Sequence, residues 1–183
     1  SSPIGKELDS LADDITFGVA PATMVFAELS VMDYPAPLEP LRDILPYFAY
    51  IMAAFAALRL AKFNLDTRQT TSFIGLPTPA NALFWGSLIV GANDIIEYSP
   101  YCVFAIMAMV LVSSYIQVAE LPMFALKFKH WGWKGNEIKY IFIATCIPLL
   151  IIFKLSAFAV IIAWYVILSV YVNITNKEKD NNV

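Results

Sequence analysis

Residues 155–173 read LSAFAVIIAWYVILSVYVN, a run that contains no charged side chain. A helix needs about 20 predominantly apolar residues to cross the roughly 30 Å of hydrocarbon in a bilayer. This run is close to that length, and it lies between Lys154 and a polar stretch that begins near Asn176. The pattern is therefore typical of a transmembrane helix.

Five further apolar blocks precede this run, at residues 10–30, 44–63, 77–96, 101–119 and 137–153. The chain is 59% hydrophobic and 15% charged, whereas a soluble domain has about 45–50% apolar and about 25% charged residues. The sequence therefore predicts an all-α, polytopic transmembrane helical bundle with six spans, and it argues against a soluble globule. Residues 1–175 are expected to form one membrane domain, followed by a polar tail at 176–183.

The distribution of Lys and Arg provides a test of this topology, because short cytoplasmic loops of membrane proteins are enriched in these residues. If the segment Gly5–Asp13 is cytoplasmic and all six blocks cross the membrane, ten of the 12 Lys and Arg residues fall on the cytoplasmic side. Only Arg42 and Lys154 fall on the other side. The sequence thus predicts an integral membrane protein whose first helix begins at the cytoplasmic surface.

Asp9 and Asp13 are the candidate functional residues at the start of the first block. Their i, i+4 spacing places both on one face of a helix, about 6 Å apart. Gly5 lies one turn earlier on that face and leaves room for a ligand or a neighbouring helix at the backbone. Acidic residues at a helix start also complement the helix dipole, and for Glu7 and Asp14 this interpretation is sufficient.

The aspartate pair requires a compensating charge, because like charges one turn apart repel each other, here where a helix enters the membrane. A divalent cation is the natural candidate, since Mg²⁺ and Ca²⁺ take oxygen ligands and bridge carboxylates to substrate phosphates. Two aspartates supply only part of such a site. The chain begins Ser-Ser-Pro-Ile-Gly without an initiator Met, and we expect the remaining carboxylates to come from residues upstream of Ser1.

The other residues with metal-binding chemistry do not form a recognisable motif. Cys102 and Cys146 lie in separate apolar blocks and are interpreted as small hydrophobic residues. His130 is the one histidine and has no partner at a ligand spacing. No nucleic-acid partner is expected.

The spacing Gly5-x3-Asp9-x3-Asp13 resembles the second half of the signature of the CDP-alcohol phosphatidyltransferase family. That signature runs Asp-x2-Asp-Gly-x2-Ala-Arg and, after a spacer, Gly-x3-Asp-x3-Asp. The longer string at residues 5–22, GKELDSLADDITFGVAPA, is similar to the phosphatidylserine synthase branch, as are RLAKFN at 59–64 and FIGLPTPA at 73–80. The resemblance is dense over residues 3–82. The first half of the signature is absent, so the isolated chain is expected to be inactive, whereas a complete protein of about eight spans should be active.

The resemblance implies transfer of a phosphatidyl group from CDP-diacylglycerol to L-serine, which gives phosphatidylserine and CMP in phospholipid biosynthesis. It implies that Asp9 is a metal ligand and that Asp13 is both a metal ligand and the general base. The metal would be Mg²⁺ or Mn²⁺, with Ca²⁺ as a further candidate. The family also implies a homodimer surrounded by membrane lipid, with an active site that faces the cytoplasm, here assigned to the bacterial cytoplasmic membrane.

The candidate substrate-binding residues are Gly5, Ser10, Arg59, Asn64 and Arg68. Arginine suits a carboxylate because its planar guanidinium donates two parallel hydrogen bonds, and the carboxylate of serine is the expected partner of Arg59. The alternative is that the cationic residues of this region (Arg59, Lys62 and Arg68) only extend their side chains from the membrane surface towards water. That alternative is preferred for Lys62.

Three alternative functions remain open from the sequence. A sister enzyme of the same family would use glycerol phosphate or inositol phosphate as acceptor and should need more cationic residues around its pocket. An ion-coupled transporter would be expected to show internal repeats and carboxylates near the middle of the bilayer. A non-catalytic fragment is the third alternative.

Overall fold

The computed structural model describes residues 2–66, 73–92, 99–124, 126, 128, 131–133 and 135–181, with side chains described as far as Thr175. Of the residues named above, Arg68 and His130 lie outside these ranges. Within them the secondary structure is helical apart from one pair of two-residue strands. This confirms the expected helical fold class, with that small exception.

The first helix is continuous from Pro3 to Val31 and contains 29 residues. It consists of α1 (Pro3–Asp14), a π-helical turn (Ile15–Val19) and α2 (Ala20–Val31). Ser2 caps its start, where the Oγ atom accepts a hydrogen bond from the amide of Gly5 at 3.1 Å. Pro21 has no N–H to donate to the preceding turn, and the widened π turn accommodates this loss.

In the part of the chain that the structure describes, five further helices follow, and each overlaps one of the predicted apolar blocks. They are α3 (Ile51–Leu65), α4 (Thr78–Gly91), α5 (Cys102–Val118), α6 (Glu137–Phe153) and α7 (Ala157–Asn181). Short 3-10 turns occur at Glu39–Leu41, Leu45–Tyr50 and Lys154–Ser156. Strands β1 (Phe73–Ile74) and β2 (Pro122–Met123) pair antiparallel, with Phe73 opposite Met123.

Among the described residues, three stretches are long and apolar enough to cross a membrane, namely Pro3–Val31, Leu45–Leu65 and Glu137–Thr175. The third is interrupted at Lys154, where φ is 50° and the chain reverses. Its two legs then pack against each other, and Trp164 Nε1 donates to Thr145 Oγ1 at 3.0 Å. Because α4 and α5 are shorter than these stretches, helix length does not confirm that the chain crosses the membrane six times. The structure supports a helical membrane protein with several apolar helices.

The core lies where α2, α3, α4 and α5 meet. Its buried side chains include Val25, Leu29, Met52, Trp85, Ile106 and Val110. Trp85 satisfies its buried indole by donating to Ser113 Oγ at 3.1 Å. The outer helix faces instead expose large apolar side chains such as Val90 and Ile151. An exposed apolar exterior of this kind is what hydrocarbon accommodates.

The segment that follows β1 is attached to the C-terminal end of α5 by main-chain hydrogen bonds. The amide of Gly75 donates to the carbonyl of Leu121 at 2.9 Å, and that of Leu76 donates to Ile116 at 3.1 Å. Gly75 has φ of +74°, and a Cβ atom there would overlap the carbonyl of Gln117. Only glycine fits where these two backbone segments approach each other so closely. The contact fixes one wall of the cavity described below.

Candidate active site

The first helix crosses α3 at Gly18, which is buried in the π turn. A Cβ atom built on Gly18 would lie 2.5 Å from Asp14 Oδ1 on its own helix, and 2.9 Å from Ala56 Cβ and 3.4 Å from Ala53 Cα on α3. Small residues on both sides allow the two backbones to approach closely. This crossing holds the charged start of α1 beside the C-terminal half of α3.

Ser10 and Asn64, both predicted substrate contacts, bind each other across this junction. Asn64 Nδ2 donates to Ser10 Oγ at 2.7 Å, and Lys6 Nζ donates to the carbonyl of Asn64 at 2.9 Å. A groove of about 170 Å³ runs along the same junction. It is lined by Glu7, Ser10, Leu11, Asp14, Ala57, Leu60, Ala61 and Asn64. The two predicted contacts therefore fix α1 against α3.

Asp14 lies in this groove, although its position was expected to reflect only a favourable helix start. Its Oδ1 atom is buried and has no hydrogen-bond partner among the described residues. Asp13 precedes it by one residue and is therefore rotated by about 100° around the helix. The two neighbouring acids consequently face different surroundings.

Asp9 is exposed and Asp13 is half-buried. The charge of Asp13 acts on the guanidinium of Arg59, although no direct ion pair joins these two residues in the described part of the chain. At Gly5 an added Cβ would approach only the Oγ atom of the capping Ser2, at 3.1 Å. The start of α1 therefore has an accessible surface around the aspartate pair.

Arg59 connects this surface to a cavity of about 360 Å³. The side chain is 7% exposed, and its guanidinium lies 5.5 Å from the ring centroid of Phe63. Its Nε atom has no hydrogen-bond partner in the described structure. The cavity is lined by Arg59, Lys62, Leu65, Asp66, Ile74, Gln117, Val118, Ala119 and Glu120. Among the described residues, two cations and two carboxylates thus line one cavity at the C-terminal ends of α3 and α5.

Gln117 is the residue of this cavity that the sequence reasoning missed. It is 1% exposed, and neither Oε1 nor Nε2 of its amide has a hydrogen-bond partner among the described residues. A polar side chain within the apolar block 101–119 was the available signal, because polar residues inside membrane segments tend to be functional. That signal alone could not have indicated which cavity the side chain lines.

The carboxylate oxygens at the start of α1 are the type of ligand that a divalent cation binds. Carboxylate oxygens are the ligands that Mg²⁺ and Mn²⁺ take, and Asp9 and Asp13 present two of them one turn apart. Across the residues that the structure describes, no group of three or more His, Cys, Asp or Glu side chains is close enough to hold a metal. The pair therefore constitutes part of such a site.

Together these features define a helical membrane protein with a polar, charge-lined cavity at the ends of its helices. A family model described as CDP-alcohol phosphatidyltransferase matches residues 1–116, more than half of the chain. The chain belongs to this family. The resemblance drawn from Gly5-x3-Asp9-x3-Asp13 and its surroundings is thereby confirmed.

Several characterised proteins are similar to part of the chain. A CDP-diacylglycerol–serine O-phosphatidyltransferase from Bacillus subtilis (strain 168) is 40% identical over 78 residues, which cover 43% of this chain and 40% of that protein. A protein of the same name from Methanocaldococcus jannaschii is 34% identical over 122 residues, covering 66% of this chain and 52% of the relative. An archaetidylserine synthase from Methanothermobacter thermautotrophicus is 35% identical over 79 residues, covering 43% and 30%.

The chain therefore spans about half or less of the length of these relatives. No solved structure matches it.

Proposed function

We propose that the protein is a phosphatidylserine synthase that transfers the phosphatidyl group of CDP-diacylglycerol to L-serine and releases CMP. The names of the similar proteins support this acceptor. The observation that carries the proposal is that Arg59, which interacts electrostatically with Asp13, lines a charged cavity of about 360 Å³. A candidate carboxylate-binding residue of this cavity is thus coupled to the charge of the candidate base.

The described charges of the cavity support serine over the phosphate-bearing acceptors of sister enzymes. Among the lining residues that the structure describes, Arg59 and Lys62 are balanced by Asp66 and Glu120. Serine is a zwitterion with no net charge, which matches this balance. Glycerol phosphate and inositol phosphate carry a dianionic group and would be attracted by a cavity with an excess of cations.

The chemical step is an attack by the serine hydroxyl on the β-phosphorus of CDP-diacylglycerol. A bond forms between the serine oxygen and phosphorus, the bond from phosphorus to the CMP oxygen breaks, and the proton passes to the carboxylate of Asp13. A positioned general base contributes about 10²- to 10⁴-fold to the rate of such a step. Arg59 holds the serine carboxylate, while Gly5 leaves space at the helix start for the nucleotide.

The remaining predicted contacts have supporting roles in this proposal. Ser10 and Asn64 keep α1 in place against α3 through their 2.7 Å hydrogen bond. Arg68 stays a prediction as a substrate contact, since it lies outside the described residues.

Asp9 and Asp13 would hold a divalent cation, Mg²⁺ or Mn²⁺, with Ca²⁺ as the further candidate. When bound, such an ion supplies positive charge that offsets the pyrophosphate and the departing CMP. The half-buried position of Asp13 is compatible with contact to both the cation and the acceptor.

We further infer a six-span topology with this site on the cytoplasmic side of a bacterial membrane, in a homodimer embedded in lipid. The reversal at Lys154 supports six spans, because it turns Glu137–Thr175 into two antiparallel legs. The orientation is supported by the placement of ten of 12 Lys and Arg residues on the cytoplasmic side of that topology.

The test is an isosteric substitution of each neighbouring acid in the full-length protein. Purified enzyme in detergent is supplied with CDP-diacylglycerol, radiolabelled serine and Mg²⁺ or Mn²⁺. Asp13→Asn should lower kcat by about 10²- to 10⁴-fold. Asp14→Asn is the matched control and should retain activity, because its carboxylate lies in the other groove.

Each alternative function predicts a different result in this assay. Labelled lipid that forms equally well after Asp13→Asn would refute the assignment of the base. Turnover with glycerol phosphate or inositol phosphate, and none with serine, would identify a sister enzyme. If no acceptor releases CMP, the non-catalytic alternative stands, and an ion-driven uptake of solute into vesicles would then indicate a transporter.

A further inference from the structure

Four aromatic side chains gather on the surface where α6 begins. The ring centroids of Trp133 and Tyr140 lie 5.5 Å apart, and the angle between their planes is 3°. Phe128 and Trp131 stack in the same way, with centroids 5.5 Å apart and an angle of 5°. Tyr140 joins the two pairs, because its ring lies 5.4 Å from that of Phe128 and its hydroxyl donates to the carbonyl of Trp131 at 2.8 Å. We call these four residues the aromatic cluster.

The two tryptophans of the aromatic cluster are largely uncovered by the protein. Trp131 is 83% exposed and Trp133 is 61% exposed. Contact of two indoles with water is unfavourable, because tryptophan has a large apolar surface and is mostly buried in soluble proteins. The interface between a bilayer and water accommodates such side chains, since the ring lies among the headgroups while its N–H group stays hydrated.

The position of the aromatic cluster along α6 agrees with that environment. Tyr140 lies in the first turn of α6, which begins at Glu137 and opens the long apolar stretch Glu137–Thr175. Where such a helix crosses a membrane, its first turn lies at the level of the headgroups. The stacking of Trp133 on Tyr140 and the hydrogen bond to Trp131 therefore hold both indoles at that level.

The same part of the chain is positively charged. Residues 124–140 contain one glutamate, Glu137, and four lysines, namely Lys127, Lys129, Lys134 and Lys139. Of these lysines, Lys139 lies within the described residues. Its Nζ atom is 5.2 Å from the ring centroid of Phe128 and donates to Asn136 Oδ1 at 3.1 Å. These contacts hold the ammonium group beside the aromatic cluster. Lysines grouped next to a membrane-spanning helix are typical of segments that bind anionic lipids.

We propose that the aromatic cluster and Lys139 form a binding surface for the headgroups of anionic phospholipids in the leaflet where α6 begins. The indoles pack among the headgroups, and the ammonium of Lys139 pairs with a lipid phosphate. The positive charge of the stretch selects lipids with a net negative charge over zwitterionic ones. This inference rests on the proposed crossing of the membrane by α6 and does not depend on which acceptor the protein uses.

Quenching of tryptophan fluorescence by brominated lipids measures which lipids touch this surface. The full-length protein is reconstituted into phosphatidylcholine vesicles that contain a rising fraction of dibrominated phosphatidylglycerol. A second series uses phosphatidylglycerol vesicles with dibrominated phosphatidylcholine. The two series together give the enrichment of the anionic lipid at the protein. Subtracting the signal of the double variant Trp131→Phe, Trp133→Phe isolates the contribution of the two exposed indoles.

Three lysine variants test the charge. Lys139→Gln removes the positive charge, whereas Lys139→Arg keeps it. Lys154→Gln is the matched control, because Lys154 is an exposed lysine at the opposite end of α6. The thermal unfolding midpoint in detergent reports whether each variant is folded.

We expect phosphatidylglycerol to be enriched around the two indoles at low salt, and less so at high salt, because dissolved ions screen exposed charges. Lys139→Gln should lower this enrichment by about two- to fivefold, the effect of one lysine at an anionic surface. Lys139→Arg and Lys154→Gln should keep the wild-type enrichment.

Equal quenching by the two brominated lipids in the wild-type protein would overturn the inference, as would an enrichment that Lys139→Gln leaves unchanged. An absence of quenching by either lipid would also overturn it, since the two indoles would then not face the bilayer. If Lys139→Gln is unfolded, the salt dependence decides instead, and an enrichment that persists at high salt refutes the inference. A protein that enriches the anionic lipid but does not use serine contradicts the proposed function alone.

Discussion

Replacing Gly18 with alanine should force the first helix away from α3 and weaken both folding and catalysis. The new methyl group would meet Asp14 Oδ1 at 2.5 Å and Ala56 Cβ at 2.9 Å, whereas carbon atoms pack best about 3.5–4.0 Å apart. The Asp14 carboxylate can rotate away, but the methyl group of Ala56 cannot. The two helices would therefore have to separate by roughly 0.6–1.1 Å at the crossing. Both α1 with Asp13 and α3 with Arg59 depend on this contact for their relative position.

The expected destabilisation follows from these distances. Overpacking a close contact costs about 1–3 kcal/mol, and replacing a helical glycine by alanine returns about 0.5–1 kcal/mol. The net loss of unfolding free energy should be about 0–2.5 kcal/mol. For a chain of this size the unfolding midpoint should fall by up to about 10 °C, at about 2–4 °C for each kcal/mol. A displacement near 1 Å at the reacting groups should lower activity by about 100-fold.

Thermal unfolding in detergent and serine incorporation would be measured for Gly18→Ala, Ala56→Gly and the double variant. The double variant removes the opposing methyl group, so it should recover about 0.5–3 kcal/mol relative to additive single effects. Gly86→Ala is the control, because a Cβ atom there would meet no neighbour within 4 Å, and it should be neutral or stabilising. Additive effects at Gly18 and Ala56 would refute the close-contact argument.

Three further substitutions test other contacts. Asn64→Ala should cost about 0.5–1.5 kcal/mol in unfolding free energy, and its effect should not add to that of Ser10→Ala; additive losses would show that their 2.7 Å hydrogen bond does not couple the helices. Trp85→Phe should lower the unfolding midpoint through loss of the bond to Ser113, and an unchanged midpoint would contradict that role. Gly75→Ala should lower the free energy of unfolding by at least about 1–2 kcal/mol because φ is positive there. It should also raise the KM for serine. A normal KM would show that this segment does not form a wall of the acceptor cavity.

Much of the helical framework could be predicted from the sequence, because apolar block length is a local property. The spacing of Gly5, Asp9 and Asp13 predicted that the charged segment is helical, which is confirmed, and the Ser2 cap starts this helix at Pro3. The pairing of β1 with β2 depends on contacts between distant residues. Six crossings also could not be established from apolar composition, because α4 and α5 are short.

The candidate site was predictable where spacing along one helix defines it, as for Asp9 and Asp13. The partners of these residues were not predictable. Asn64 was expected to meet substrate, yet its side chain binds Ser10, which is 54 positions away in the chain. Gln117 and Arg59 line one cavity because α5 packs against α3. Such tertiary proximity leaves no periodic signal in the sequence.

The reversal at Lys154 also bears on the thickness of the bilayer around the protein. As one straight helix, the 39 residues of Glu137–Thr175 would extend about 58 Å, nearly twice the hydrocarbon thickness. Folded back, the leg of 17 residues in α6 is about 26 Å long. A leg slightly shorter than the hydrocarbon layer is accommodated by local thinning of the bilayer, at a fraction of a kcal/mol per Å. In the proposed six-span topology, the shorter leg of this hairpin fits a thin bilayer, and lipids with shorter acyl chains should surround that leg with less elastic deformation.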